Sequence, residues 1–368
     1  MPEPPLPVQF RAFGASAARD GCSTYGTICA EVAEDEEILA LLADTPPSQR
    51  RPNLLLAAVH YLLLNGAQHP LAAFYDTIND GPTAEPDGAL YPAFRDFCLT
   101  HREAVIELAA TRSTQTNEVG RCSILLPALC AISAQHDEAI SLLDLGTSAG
   151  LNLLFDLYGY TYRQADDGTT VLAGDPASPV QLECAVRGPM DRLPRLEMPD
   201  ISYRAGLDLS PISADSLDEA RWLLACLWPD NLDRFTRLRK ALELWNATPL
   251  APPLMQGDMI DDLDWVANAL DNGGPLVVFH SWAVAYLNED RQRALVEAVQ
   301  ALGRTRPVHH LYAELPFETP GLPMPDPPEE ITHSNAATAL VHIGPGEEPA
   351  RWANVHPHGR WIRWWGPR

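Results

Sequence analysis

The segment Leu142-Leu-Asp144-Leu-Gly146-Thr-Ser148-Ala-Gly150-Leu-Asn152 constrains the fold more than any other part of the chain. It opens on a continuous apolar run from Ala139, the pattern of a strand buried on both faces, which calls for a parallel sheet with helices over it. The run ends in a carboxylate, the chain turns through two glycines, and Leu151 to Tyr158 resumes helical spacing. Such a crossing suits a ligand. Glycines let backbone N–H groups come close to it, and a helix N-terminus favours negative charge.

The chain changes character at this point. Residues 1–135 read as helices, at Glu36–Ala43, Pro52–Leu64, Pro92–Thr111 and Gly120–Ser133, and form an all-α N-terminal cap domain. Residues 136–368 alternate strand and helix. Ile201–Asp208, Pro275–Phe279 and His309–Glu314 read as strands, and Ala339–Ile343 is followed by Arg351–Trp365, which folds back at His356-Pro-His-Gly359. Helices fall between them. One opens with the capping box Ser216-x-x-Glu219, one spans about Asn231–Trp245, one runs through Leu263, Val266 and Leu270, and one ends at Leu302. About 160–200 reads as a β-rich insertion with an Asp167-Gly168 hairpin turn. The expected fold is α/β, a largely parallel sheet covered on both faces, with the insertion and the helical domain added.

Composition narrows the function. The 368 residues carry 26 Lys plus Arg against 49 Asp plus Glu, a formal charge of −23. So negative a chain is a poor partner for nucleic acid or an anionic membrane, and a small-molecule substrate is expected. Lys240 is the only lysine, which argues against phosphate-loop and Schiff-base enzymes. Seven cysteines form no Cys-x-x-Cys pair and are expected as reduced, buried thiols. The first residues lack the pattern of a secretory signal, so a cytoplasmic location is expected. No metal is expected, because neither His309-His310 nor His356-x-His358 belongs to a diagnostic ligand spacing. The oligomeric state is not readable.

The loop resembles the first motif of class I S-adenosylmethionine-dependent methyltransferases, apolar-Asp-apolar-Gly-x-Gly-x-Gly, with Ser148 at the middle glycine. Gly206-Leu-Asp208-Leu-Ser210-Pro resembles that family's second-strand motif, and Gln256-Gly257-Asp258-Met its third. The resemblance implies a Rossmann-like sheet with S-adenosylmethionine as cofactor. Asp144, Gly146, Ser148, Gly150 and Asn152 would lie around the cofactor, with Asp208 accepting the ribose hydroxyls and Asp258 near the adenine. Asp208 falls 58 residues beyond Gly150, where a standard unit has about 20, and the insertion accounts for the excess. Phe279-His280-Ser281-Trp282 follows the fourth strand, where such enzymes face substrate. His280 is the candidate general base, and Trp282 is a candidate pocket wall. The polar run Gln115–Arg121 reads either as a helix cap or as Asn117, Glu118 and Arg121 brought over the loop to meet substrate. That run, the loop, Arg204–Pro211, Arg221-Trp222, Trp228-Pro229 and Gly257-Asp258 together resemble the bacterial domain-of-unknown-function family 2332, over about residues 10–365. This family resemblance implies fold and relatedness, not a reaction.

Two rival readings remain. Gly146-x-Ser148-x-Gly150 is also the spacing of a hydrolase nucleophile elbow, for which Asp258 with His280 or His309 could complete a triad. Alternatively, the chain keeps the fold for binding alone.

Overall fold

A computed structural model describes residues 4–79, 83–249, 251–270, 274–328 and 338–368. The chain divides into two compact units, Met1–Thr116 with Ala214–Arg239, and Asn117–Ser213 with Lys240–Arg368.

The first unit is helical among its described residues. Phe10, Tyr25, Ile28, Leu54, Leu55, Phe94, Phe97 and Trp222 meet in its core. Pro52–Leu64 forms one helix, buried along nearly its whole length, with proline in the first turn where its missing N–H is harmless. The expected helix at Pro92–Thr111 is two, Leu90–Thr100 and Arg102–Thr111, broken at His101. Residues from the later part of the sequence join this unit. The helix Leu217–Ala225 is capped by Ser216, whose hydroxyl accepts from the Glu219 N–H, and its Trp222 Nε1 donates to the Ser113 carbonyl. By contrast Cys122–Ser133, which the sequence groups with the N-terminal helices, belongs to the second unit.

The second unit is a mixed α/β structure around one mostly parallel sheet. Its strands are β1 (Ile140–Leu145), β2 (Gly159–Gln164), β3 (Thr170–Gly174), β4 (Gln181–Val186), β5 (Ile201–Asp208), β6 (Leu254–Gln256), β7 (Leu276–Ser281), β8 (Val308–Glu314), β9 (Thr338–Ile343), β10 (Ala350–Val355) and β11 (Trp361–Trp364). Their order across the sheet is β3-β2-β4-β11-β10-β9-β8-β7-β1-β5-β6. The run β6-β5-β1-β7-β8 is parallel throughout. β1 lies at its middle, and all six of its residues are buried, as suits its mainly apolar sequence. From β8 the chain reverses at each step through β9, β10 and β11.

The expected insertion is β-rich, and its strands extend the main sheet instead of forming one of their own. β2 and β3 pair antiparallel across the Asp167-Gly168 turn, β4 pairs parallel with β2, and β11 joins β4 to the rest through Trp361↔Ala185 and Ile362↔Val186. Among the described residues, no helix is long and apolar enough to cross a membrane. All seven cysteines are free, and six of them are buried.

Candidate functional site

The strand order reverses between β1 and β7, with β5 and β6 on one side and β8 on the other. In open α/β sheets, ligands bind outside the carboxyl ends of the strands at such a point. Ser148, beyond β1, has φ 53°, and Trp282, beyond β7, has φ 56°. These are the only non-glycine residues with positive φ among the described ones. Holding a side chain in this region costs energy that the surroundings must offset, and such residues cluster at functional sites. Ser148 therefore keeps the backbone form a glycine would adopt, so the missing middle glycine does not alter the course of the loop.

Asp144 lies level with Gly206 on β5 and Phe279 on β7, and is 3% exposed. Burial pushes its carboxyl up to about 8, with a bond from Thr147 and the charge of Arg121 acting the other way and Asp208 adding to the rise. Thr147 Oγ1 donates to Asp144 Oδ2 at 2.9 Å. Gly206 is what admits that threonine, since a Cβ there would come within 2.4 Å of Thr147 Cγ2. Asp208, the last residue of β5, accepts the Ser148 N–H on Oδ2 (2.9 Å) and the Ser210 N–H on Oδ1 (2.8 Å). A carboxylate oxygen has two lone pairs, so each can still accept one hydroxyl.

Other residues of the predicted cofactor set serve the protein itself. Gly146 and Gly150 both have φ 71°. A Cβ on the first would meet Ala283 Cβ at 2.5 Å, and one on the second would meet Leu254 at 2.7 Å and Trp245 at 2.9 Å. Their bareness makes room for these neighbouring side chains. Asn152 is buried, and its Oδ1 accepts from the Cys122 thiol at 3.4 Å. Asp258 Oδ1 accepts the N–H groups of Ile260 and Asp261 and pairs with Arg291 at 2.6 Å. Burial raises the Asp258 carboxyl, but those bonds and the guanidinium outweigh it and hold it below the usual range. This carboxylate fastens the turn after β6 to the helix Glu289–Leu302 through its Oδ1. The chain after Gly150 also departs from expectation. Leu151–Leu157 is a 3-10 helix with a kink at Leu154, pinned by Arg204 bridging Asp156 and the Leu153 carbonyl. So short a segment supplies little dipole, and anion binding there loses its basis.

Asn117, Glu118 and Arg121 do converge on the loop and the end of β7. Asn117 Oδ1 accepts the Leu151 N–H at 3.0 Å, and Glu118 Oε1 accepts the Gly120 N–H at 3.0 Å. Arg121 donates to the Ser281 carbonyl (2.9 Å) and the Pro357 carbonyl (3.0 Å), with its guanidinium 5.6 Å from the Trp282 ring centroid. Trp282 Nε1 donates to Thr338 Oγ1 at 3.2 Å. Capping and convergence are thus the same arrangement, because the cap of one segment is the support of the other.

His280 does not face a ligand. It is 0% exposed, with Nδ1 2.8 Å from Glu314 Oε1 and Nε2 3.1 Å from His310 Nε2, so the lone pair a general base needs is already engaged. The same geometry removes the triad partners named for Ser148: Asp258 holds Arg291, His280 holds Glu314, and His309 lies between His136 (2.7 Å) and His342 (2.9 Å). Sequence reasoning missed Glu314, which also accepts the Ala283 N–H at 3.0 Å and so fastens the loop carrying Trp282. Its signal was available, since β8, like β1 and β5, carries a carboxylate at its end. Among the described residues, no group of three or more His, Cys, Asp or Glu is placed to hold a metal.

The fold and site define an α/β protein with a buried acid, a half-buried acid and two strained residues around the reversal of its sheet. The family model described as an uncharacterized protein conserved in bacteria, DUF2332, matches residues 8–364, and the chain belongs to that family. Among curated proteins, none matches it.

Proposed function

We propose that the chain binds S-adenosylmethionine at the carboxyl ends of β1 and β5 and directs its methyl group to a small molecule. Two features support a Rossmann-like, methyltransferase-type reading. Numbered along the chain, the parallel run β6-β5-β1-β7-β8 has the order third, second, first, fourth, fifth, the order of the doubly wound nucleotide-binding sheet. The acids at the ends of its first two strands also suit the ligand. Asp208 keeps one acceptor position on each oxygen for a ribose diol, and Asp144 is a buried carboxyl that a nearby cation would stabilise in its charged form. The residues present fit the cofactor at these two acids, while the Ser148 N–H is given to Asp208 and Asp258 and Asn152 are engaged elsewhere.

The cofactor supplies a sulfonium-bound methyl group. The protein's part is alignment and exclusion of water, which is most of what a displacement at carbon requires. Asp208 fixes the loop through the Ser148 N–H, and Arg121 ties the end of β7 to the turn at Pro357. Trp282, held at positive φ, forms the wall beyond β7. The engagement of Asp258, His280 and His309 removes the support for the hydrolase reading.

The observation that carries the proposal is Asp208 at the end of β5, bonded to the Ser148 amide in the loop after β1, beside the reversal. Calorimetric titration with S-adenosylhomocysteine should give micromolar binding that is lost in Asp208→Ala. Absence of both heat and thermal shift with the wild-type protein would sink the reading, and fluorophosphonate labelling of Ser148 would revive the hydrolase.

A further inference from the structure

We infer that Asp144 lets this site tell the methyl donor from its demethylated product, by giving up a proton to pair with the donor's sulfonium. The inference rests on the methyl-transfer reading above. Asp144 is 3% exposed at the carboxyl end of β1, level with Gly206 of β5 on one side and Phe279 of β7 on the other. Thr147 Oγ1 donates to it, and among the described residues it forms no ion pair. A carboxylate so enclosed has lost its water without gaining a counter-charge, so the proton stays on. The charged groups that act on it are Arg121, which favours the ionised form, and Asp208, which opposes it. β7 contributes only the uncharged ring of Phe279 at this level. Burial outweighs Arg121.

An acid that keeps its proton for want of a cation distinguishes ligands by charge. A sulfonium beside it supplies the missing counter-charge, and binding then drives the proton off. A neutral thioether in the same place offers nothing to offset the carboxylate, and the proton stays. The position suits sulfur better than the amine of the methionine part. Asp144 and Asp208 belong to paired strands, whose axes lie about 4.8 Å apart. With the ribose diol on Asp208, the sulfur is separated from the ribose ring by a single carbon and comes to β1 first. The amine lies at the far end of the methionine chain.

In the binding step, the O–H bond of Asp144 breaks, its proton leaves to solvent, and carboxylate and sulfonium form an ion pair. Once the methyl group has gone, the sulfur is neutral and the carboxylate again lacks a counter-charge. It takes a proton back from solvent, which balances the one released. Donor binding thus strengthens as pH rises towards the value of about 8 at which Asp144 ionises, while product binding does not.

Calorimetric titration of the full chain in buffers of different ionisation enthalpy counts the protons exchanged on binding and needs no known acceptor. At about pH 6.5 the α-amino group of either ligand is charged, since such amines titrate near 8. S-Adenosylmethionine should release close to one proton per site, and its affinity should rise about tenfold per pH unit between about pH 6 and 7.5. S-Adenosylhomocysteine should release none and keep its affinity over that range. Asp144→Asn cannot ionise and should abolish both the release and the slope for the donor, with a thermal melt to check its fold. Binding of both ligands without proton release, or equal release by both, overturns the inference and leaves the methyl-transfer reading in place. Release that persists in folded Asp144→Asn overturns it as well. Failure of both ligands to bind the wild-type protein instead overturns the methyl-transfer reading on which it rests.

Discussion

Replacing Asp144 by asparagine should stabilise the protein, and by an amount that depends on pH. An ordinary aspartate ionises near 3.8, whereas burial moves Asp144 to about 8. Between these values the native state holds a proton that the unfolded chain has released, so stability falls as pH rises through that window. At about 1.4 kcal/mol per pH unit, the ceiling on this penalty is about 4 kcal/mol at pH 7, between about 1 and 2 kcal/mol at pH 5, and close to zero below pH 3. Asparagine cannot ionise, yet its carbonyl still accepts from Thr147 Oγ1, so the packing behind Gly206 is kept. A unit of this size gains roughly 2–4 °C in Tm per kcal/mol. Thermal melts of both proteins at pH 5, 7 and 8 should show Asp144→Asn gaining little at pH 5 and about 5–15 °C at pH 7 and above. A gain that is the same at all three pH values, or a loss at each, would refute the view of Asp144 as a buried acid lacking a compensating cation.

Two further substitutions probe the frame around it. Ser148→Gly should be neutral or stabilising by up to about 1 kcal/mol, while Ser148→Val should cost about 1–3 kcal/mol, because a β-branched residue resists φ 53°; equal urea midpoints for all three proteins would contradict the strain. Glu314→Ala strands the His280 Nδ1 and Ala283 N–H groups in the core and should cost about 3 kcal/mol; an unchanged melting temperature would mean that this carboxylate does not hold the loop.

What the sequence disclosed and concealed follows from the range of the forces involved. β1 and β7 were legible because burial on both faces demands mainly apolar runs, and the β10–β11 return because His-Pro-His-Gly breaks the pattern. Leu151–Leu157 was not, since its apolar spacing fits one tight turn as well as another, and the deciding bond comes from Arg204, far along the chain. The site divided in the same way. Asp144 and Asp208 were readable as acids ending strands, but nothing near Asp258 announces Arg291, and nothing near His280 announces Glu314 and His310. Local pattern identified where strands end; it could not say which polar ends were already engaged.

The two-residue seam between β11 and β4 has a consequence for the order of folding. Ala185 and Val186 emerge from the ribosome about 175 residues before Trp361 and Ile362, their partners across the seam. At translation rates of about 5–20 residues per second, this leaves β2, β3 and β4 with one edge unpaired for roughly ten to thirty seconds. During that interval the nascent chain presents an open strand edge, a template for wrong pairing. Gln181 and Glu183, exposed along β4, make that strand less apolar than its buried neighbours Leu182 and Cys184 would.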